Sequence, residues 1–249
     1  MGDLMKLGVF DSGLGGLTVL KQILDAKDVD VIYLADQKNI PYGTKSREEL
    51  IELMTSNINW FVKQGVDTLL FACNTVSTIV DELRIIFPSI RLISIIEEYV
   101  KQLVEYDDMC VLLLATQATI RSNKYIEELS KYDHSLKVEK KALVNLVDLI
   151  ESSANDEEIV NYLESELSEY HDNGCNYVLA CTHYPLVEDK IKQILGESNI
   201  KYYDPLKSID VDKMQSGELK VYTTKEADIF KMYVDRIIGK NTVVVKVEL

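Results

Sequence analysis

Short apolar runs rich in branched residues alternate with segments of helical period along almost the whole 249-residue chain, and that alternation leaves few folds open. The spacing predicts strands over 6–10, 30–35, 66–72, 91–96, 109–115, 136–140, 176–180 and 200–203, with a further pair near 219–222 and 242–247. Between them "GLTVLKQILDA", "SREELIELMTSNINWFVKQG", "SNKYIEELSKY", "DEEIVNYLESELSEYHDNG" and "HYPLVEDKIKQIL" carry helical spacing. Ser46 with Glu49 forms a capping box at the start of the second of these, and Gly65 is its stop. Strand alternating with helix implies the α/β class, with mostly parallel sheets covered by helices on both faces.

No Gly/Ser-rich or Pro-rich linker divides the chain, so its organisation is argued from an internal echo. Leu70, Phe71, Ala72 and Cys73 answer Val178, Leu179, Ala180 and Cys181, 108 positions later. "LGVFDSG" answers "VLLLATQAT" with Asp11 opposite Thr116, 105 positions on. Two matches at similar offset point to two related α/β halves joined near 97–105. The expected domains are residues 1–98 with a returning segment 207–249, and residues 99–206. Ligands of open α/β sheets bind at the carboxyl ends of strands, where both cysteines sit, so the two halves are expected to present Cys73 and Cys181 to one cleft.

Two facing thiols suit one demanding task. Inverting a carbon that carries an unactivated proton needs a base on one face and an acid on the other. One thiol must be ionised while its partner stays protonated, and polar neighbours assist that division. "CNT" supplies Asn74 and Thr75; "CTH" supplies Thr182 and His183, whose imidazole can stabilise charge near neutral pH. "DSGLGGLT" adds Asp11 and Ser12, with glycines that let backbone N–H groups approach an anionic ligand. For Cys110 and Cys175, which lack such flanks, the reading is core packing.

Rival chemistries are weaker. "GLGGLT" lacks the last glycine of a dinucleotide fingerprint, although Asp36 ends the second strand where a ribose-binding acid would sit, so a nucleotide-dependent oxidoreductase is the sharpest alternative. It leaves the paired cysteines unexplained. A metal centre from Cys73, Cys181 and His183 has no C-x-x-C pair to support it. A formal net charge of −14, from 27 Lys plus Arg against 41 Asp plus Glu, opposes nucleic acid or an anionic membrane as partner. No apolar run approaches a membrane span, the start "MGDLMKLGVF" has no signal-type pattern, and four cysteines at this length fit a reducing cytoplasm better than a disulfide framework.

"GVFDSGLGGLTVL", "ADQKNIPYGTKS", "FACNTVSTI", "ATQATIRSNKY" and "LACTHYPLV" resemble, in order and over nearly the whole chain, the signature blocks of the glutamate racemases within the cofactor-independent aspartate/glutamate racemase family. The resemblance implies two related α/β domains with the active site between them, no pyridoxal phosphate, no metal, glutamate as substrate, a homodimer, and a role supplying D-glutamate for peptidoglycan. An aspartate or broad acidic amino-acid racemase of the same fold is the nearest alternative, with a non-catalytic ligand-binding relative beyond it. Carried over by motif, Cys73 and Cys181 would be the acid/base thiols, assisted by Asp11 and His183. Ser12, Pro41, Tyr42, Gly43, Asn74, Thr75, Thr116, Thr119 and Thr182 would hold the substrate. The chain departs from the family pattern at Glu97, Glu98 and Tyr99, where a Glu-Pro-Gly hinge is usual, and at Asn145 and Asp148, where Pro and Glu are usual. The acid at 148 is the one the resemblance would set against the active-site histidine.

Overall fold

All strand pairings among the described residues are parallel, as runs buried on both faces demand. The computed structural model describes residues 6–26, 29–106, 110–132, 134–196, 200–214, 217–239 and 242–249. Its strands are β1 (Leu7–Asp11), β2 (Val31–Ala35), β3 (Thr68–Phe71), β4 (Arg91–Ser94), β5 (Cys110–Ala115), β6 (Lys137–Ala142), β7 (Asn176–Ala180), β8 (Ile200–Lys201), β9 (Leu219–Thr223) and β10 (Val244–Lys246). The strand expected over 109–115 begins at a position outside the described residues and is seen from Cys110.

Two sheets result, in the orders β10-β9-β2-β1-β3-β4 and β6-β5-β7-β8. Remove β9 and β10, and the first reads 2-1-3-4 where the second reads 6-5-7-8. The internal echo is therefore a repeated topology, with the chain's last two strands added to the β2 edge of the first copy. In both copies the order reverses between the first and third strands, and the crevice outside the strand ends at such a reversal is where open α/β sheets bind ligands.

Alternation sorts the side chains of the first sheet into two cores. Leu7, Val9, Val31, Tyr33 and Leu70 face one way; Phe10, Ile32, Leu34, Leu69 and Phe71 face the other, against the helices Arg47–Lys63 and Val80–Ile86. The first of these cores continues through the helices Gly16–Ala26 and Ile95–Leu103 to Val111, Leu113 and Val178 of the second sheet, so one apolar layer joins the halves. The outer face of the second sheet is covered by Leu146–Glu151, Asp156–Leu167 and Glu188–Leu195. Ser46 and Glu49 close a reciprocal capping box before Arg47, and Gly65 follows the helix at φ +77°, a left-handed turn that favours glycine.

Two expectations are corrected. The strand placed at 91–96 ends at Ser94, which caps the helix Ile95–Leu103 by accepting from Glu97 N–H at 3.4 Å. Glu97, Glu98 and Tyr99 thus lie in a helix, Glu97 forms a two-pronged pair with Arg84 at 2.6 and 2.7 Å, and buried Tyr99 donates to the Lys201 carbonyl of β8. Cys110 and Cys175 are not independent packing residues. β5 and β7 are neighbours with Val111 opposite Asn176, which sets the residues before that pair side by side with Cα atoms 4.6 Å apart, and they form a disulfide. No helix among the described residues is long and apolar enough to cross a membrane.

Candidate active site

The carboxyl ends of four strands converge. β1 ends at Asp11 and leads to Ser12; β3 leads to Cys73, Asn74 and Thr75; β5 leads to Thr116; β7 leads to Cys181, Thr182 and His183. A pocket of about 20 Å³ between the sheets is lined by Ser12, Tyr42, Gly43, Cys73, Asn74, Thr75, Thr116, Val147, Cys181, Thr182 and His183. Each sheet contributes one free thiol, and both are buried. Thr75 and Thr116 touch across the cleft, hydroxyl to hydroxyl, at 3.0 Å, and Thr119 braces Thr116 from behind at 3.0 Å.

The two sulfurs sit in different fields. Burial and the nearby Asp11 carboxylate push the Cys73 thiol up to about 12, against the weaker pull of the Val76 N–H and the Ser12 hydroxyl, which lies 3.7 Å from Sγ. Cys73 therefore carries its proton at neutral pH. Cys181 faces the Nδ1 edge of His183 at 3.9 Å. Burial disfavours charge on that imidazole, but its hydrogen bonds to Cys181 and Glu151 outweigh burial and hold it cationic well above the ordinary histidine range. A cation is thus fixed beside the second sulfur, where it stabilises negative charge.

Glu151 is the carboxylate that orients His183, its Oε1 lying 2.7 Å from Nε2. The resemblance pointed instead to Asp148. That residue lies on the exposed side of the helix Leu146–Glu151, whose buried positions are Leu146 and Ile150, and Glu151 is the acid that follows the buried turn inward. Burial alone would raise the Glu151 carboxyl, yet the bond and charge of His183, with the N–H of Leu14 at 3.0 Å, keep it below its usual value. A residue at the end of a short helix among many surface acids has no sequence signature, which is why it was missed.

Asp11 stands behind the pocket, fully buried. One oxygen accepts from Gly13 N–H at 2.9 Å and the other from the Thr182 hydroxyl at 2.9 Å, so it ties the first loop of one sheet to the cysteine loop of the other. Burial pushes its carboxyl upward, His183 opposing. Pro41 also lies outside the lining and leads into the turn Tyr42–Thr44. Tyr42 is pinned there by donating to Asp36 at 2.6 Å, and Asp36 also accepts from Thr224 at 2.7 Å and from Asn39. Buried and engaged this way, Asp36 positions the pocket wall and has no edge left for a ribose.

The chain belongs to the Asp/Glu/Hydantoin racemase family. The family model matches residues 17–209. A glutamate racemase of Sulfurihydrogenibium sp. (strain YO3AOP1) is 32% identical over 246 residues, 94% of each chain. Among solved structures, glutamate racemase isoform RacE1 from Bacillus anthracis superposes with a TM-score of 0.89 at 26% identity, over 99% of this chain and 98% of that one. Glutamate racemase from Francisella tularensis subsp. tularensis SCHU S4, in complex with D-glutamate, superposes at 0.86 and 26% identity, with the same coverage. The protein is an amino-acid racemase, an isomerase.

In this racemase the glycines of "DSGLGG" do a job other than the expected one. A Cβ at Gly15 would lie 2.4 Å from the Thr182 carbonyl carbon and 2.5 Å from the His183 nitrogen; one at Gly13 would lie 2.1 Å from Glu151 Oε1. Gly15 lets the two halves approach backbone to backbone, and Gly13 leaves room for the Glu151 side chain. The N–H groups of Gly13 and Leu14 are taken by Asp11 and Glu151 rather than left for an anionic ligand.

Proposed function

We propose that the chain interconverts L- and D-glutamate without an added cofactor, Cys73 and Cys181 exchanging the α-proton on opposite faces of the substrate. One observation carries the reading: two buried free thiols, one from each sheet, line a single polar pocket. Their fields divide the labour. By resemblance to the glutamate racemases, Cys181 takes the α-proton of L-glutamate and Cys73 that of D-glutamate, and a Cys73 that carries its proton suits the acid role toward L-glutamate. The α-C–H bond breaks as the Cys181 thiolate takes the proton, and the carbanion then takes the Cys73 proton on its other face as that S–H bond breaks. Cys73 is left as thiolate and Cys181 as thiol, the arrangement suited to the reverse reaction from D-glutamate.

The walls fit a small zwitterion with an extra carboxylate. Ser12, Thr75, Thr116 and Thr182 offer hydroxyls, and Asn74, whose Oδ1 accepts from the Tyr125 hydroxyl at 2.7 Å, keeps its NH₂ group as the remaining donor. Asp11, His183 and Glu151 position the thiols, while Pro41, Tyr42, Gly43 and Thr119 shape the wall. The reading extends to a homodimer in the cytoplasm, built of lobes 1–98 with 207–249 and 99–206, that supplies D-glutamate for peptidoglycan. The homodimer and the peptidoglycan role are what the resemblance in sequence blocks implies, and the lobes rest on the internal echo and the repeated strand order.

Circular dichroism of L- and D-glutamate and of L- and D-aspartate, each incubated with chelator-treated protein and no added cofactor, tests the proposal. Loss of optical activity with glutamate is expected. Racemisation of aspartate alone, or strict dependence on a nucleotide or metal, overturns it.

A further inference from the structure

The amino ends of β5 and β7 lie at the far end of the second sheet from the pocket, and they carry chemistry that proton exchange at the pocket does not use. Cys110 opens β5, Cys175 immediately precedes β7, and the disulfide joins them. Glu139 of β6 pairs in register with Leu112, two residues beyond the Cys110–Lys137 pair, so its side chain rises on the same face of the sheet as Cys110. The two sulfurs and a Glu139 carboxylate oxygen all lie within 4.8 Å of one another. Cys175 is buried, Cys110 half-buried and Glu139 exposed, so the cluster is anchored at one end and open to solvent at the other. No hydrogen bond or ion pair of the described residues engages the Glu139 carboxylate.

We propose that, when the disulfide is reduced, Cys110, Cys175 and Glu139 form a binding site for a soft divalent cation of the zinc type, with water as fourth ligand. Reduction takes two electrons and two protons from a dithiol reductant, which leaves as its own disulfide; the S–S bond is replaced by two S–H bonds. Binding then displaces both thiol protons to solvent as two metal–sulfur bonds form. The donor set selects the ion. Two thiolates and one carboxylate suit a tetrahedral zinc-type centre, whereas magnesium and calcium require six or more oxygens. Metal–sulfur bonds of about 2.3 Å at tetrahedral angles set the sulfurs about 3.8 Å apart. Cα atoms 4.6 Å apart reach that separation by rotation about χ1, without moving the strands. Oxidised or metal-loaded, the site ties β5 to β7 at the ends opposite those that deliver Thr116 and Cys181.

The full chain, reduced with a phosphine, freed of metal by a chelator and desalted without oxygen, is titrated with Co²⁺ while thiolate-to-cobalt charge-transfer absorption is followed. One Co²⁺ per chain is expected, displaced by Zn²⁺, with no band in the oxidised chain. Glu139→Gln, an exposed change that leaves folding intact, is expected to weaken binding by about tenfold or more. Cys110→Ser is expected to abolish it. A Cys73→Ser/Cys181→Ser double variant is expected to bind as the natural chain does, which separates this site from the catalytic thiols and makes the result independent of the substrate. Absence of a thiolate–cobalt band in the reduced natural chain, a band that survives Cys110→Ser, one lost in the double variant, or unchanged affinity in Glu139→Gln overturns the proposal.

Discussion

Cys73 and Cys181 are near twins in the sequence and differ in their surroundings, and that difference suits the two-base reaction proposed above. Replacing either with serine, a much weaker base, is expected to slow racemisation by about 10² to 10⁴ with the fold retained, as read by circular dichroism of the substrate and of the protein. In heavy water the early product should carry solvent deuterium at the α-carbon while unreacted substrate stays protiated; equal labelling of both would point to one shared base. Glu151→Gln tests the residue that orients His183. The lowered Glu151 carboxyl contributes stability that is present above the ordinary glutamate value of about 4.3 and lost as pH falls below it. The raised His183 imidazole contributes stability that is fully present below about 6.5 and lost as pH rises through its elevated folded value. The difference in unfolding free energy between the natural chain and Glu151→Gln should therefore be largest between those pH values, about 1–3 kcal/mol, and shrink on both sides. At this scale the sequence disclosed every residue that a motif brackets: both thiols, His183 and the Asn and Thr beside them. It hid Glu151, because partnership with His183 is created by a helix end 32 positions away, and it hid the work of Asp36, whose partners Tyr42 and Thr224 are joined only by folding.

Elements with a bounded apolar run or a 3.6-residue rhythm of their own were legible, as β1, β3, β5, β7 and the capped helix Arg47–Lys63 illustrate. Those whose apolar character runs on from a neighbour were not: "RLISIIEEYV" carries β-branched residues through the point where β4 gives way to a helix, and only the Ser94 cap marks the change. The short helices Val80–Ile86 and Leu146–Glu151 span too few turns to show a period. Because the capping box of Ser46 begins the helix immediately after the Tyr42–Thr44 turn, Ser46→Ala should cost about 1 kcal/mol in chemical denaturation while leaving the KM nearly unchanged. Gly15→Ala is a contrasting case. Its methyl meets backbone of the Thr182–His183 loop rather than a flexible side chain, so the halves must separate there, and both melting temperature and kcat are expected to fall together.

For the molecule as a whole, a pocket of about 20 Å³ has room for about one water and not for an amino acid with two carboxylates, so the proposed reaction requires the walls of the pocket to move apart to admit substrate. Contacts between the helices that follow Asn74–Ser77 and Gln117–Ser122 are expected to set how readily they do. Lys124, nearly buried, reaches over to exposed Asp81 at 2.6 Å. Asp81→Asn should change global stability by less than about 1 kcal/mol, yet raise KM for both enantiomers more than it alters kcat, with faster amide exchange around residues 74–78 and 116–122. The path of the backbone adds a constraint on how the molecule is made. The second sheet is drawn from one continuous stretch, 110–201, whereas the first borrows β9 and β10 from the end of the chain. On a ribosome, strands β1 to β4 emerge first but wait with the β2 edge uncovered, while the later sheet has all its strands and can close. The half whose synthesis starts first therefore waits for strands made after the whole of the other sheet, and its seam of Val31–Ala35 against Leu219–Thr223 can form only once β9 has followed.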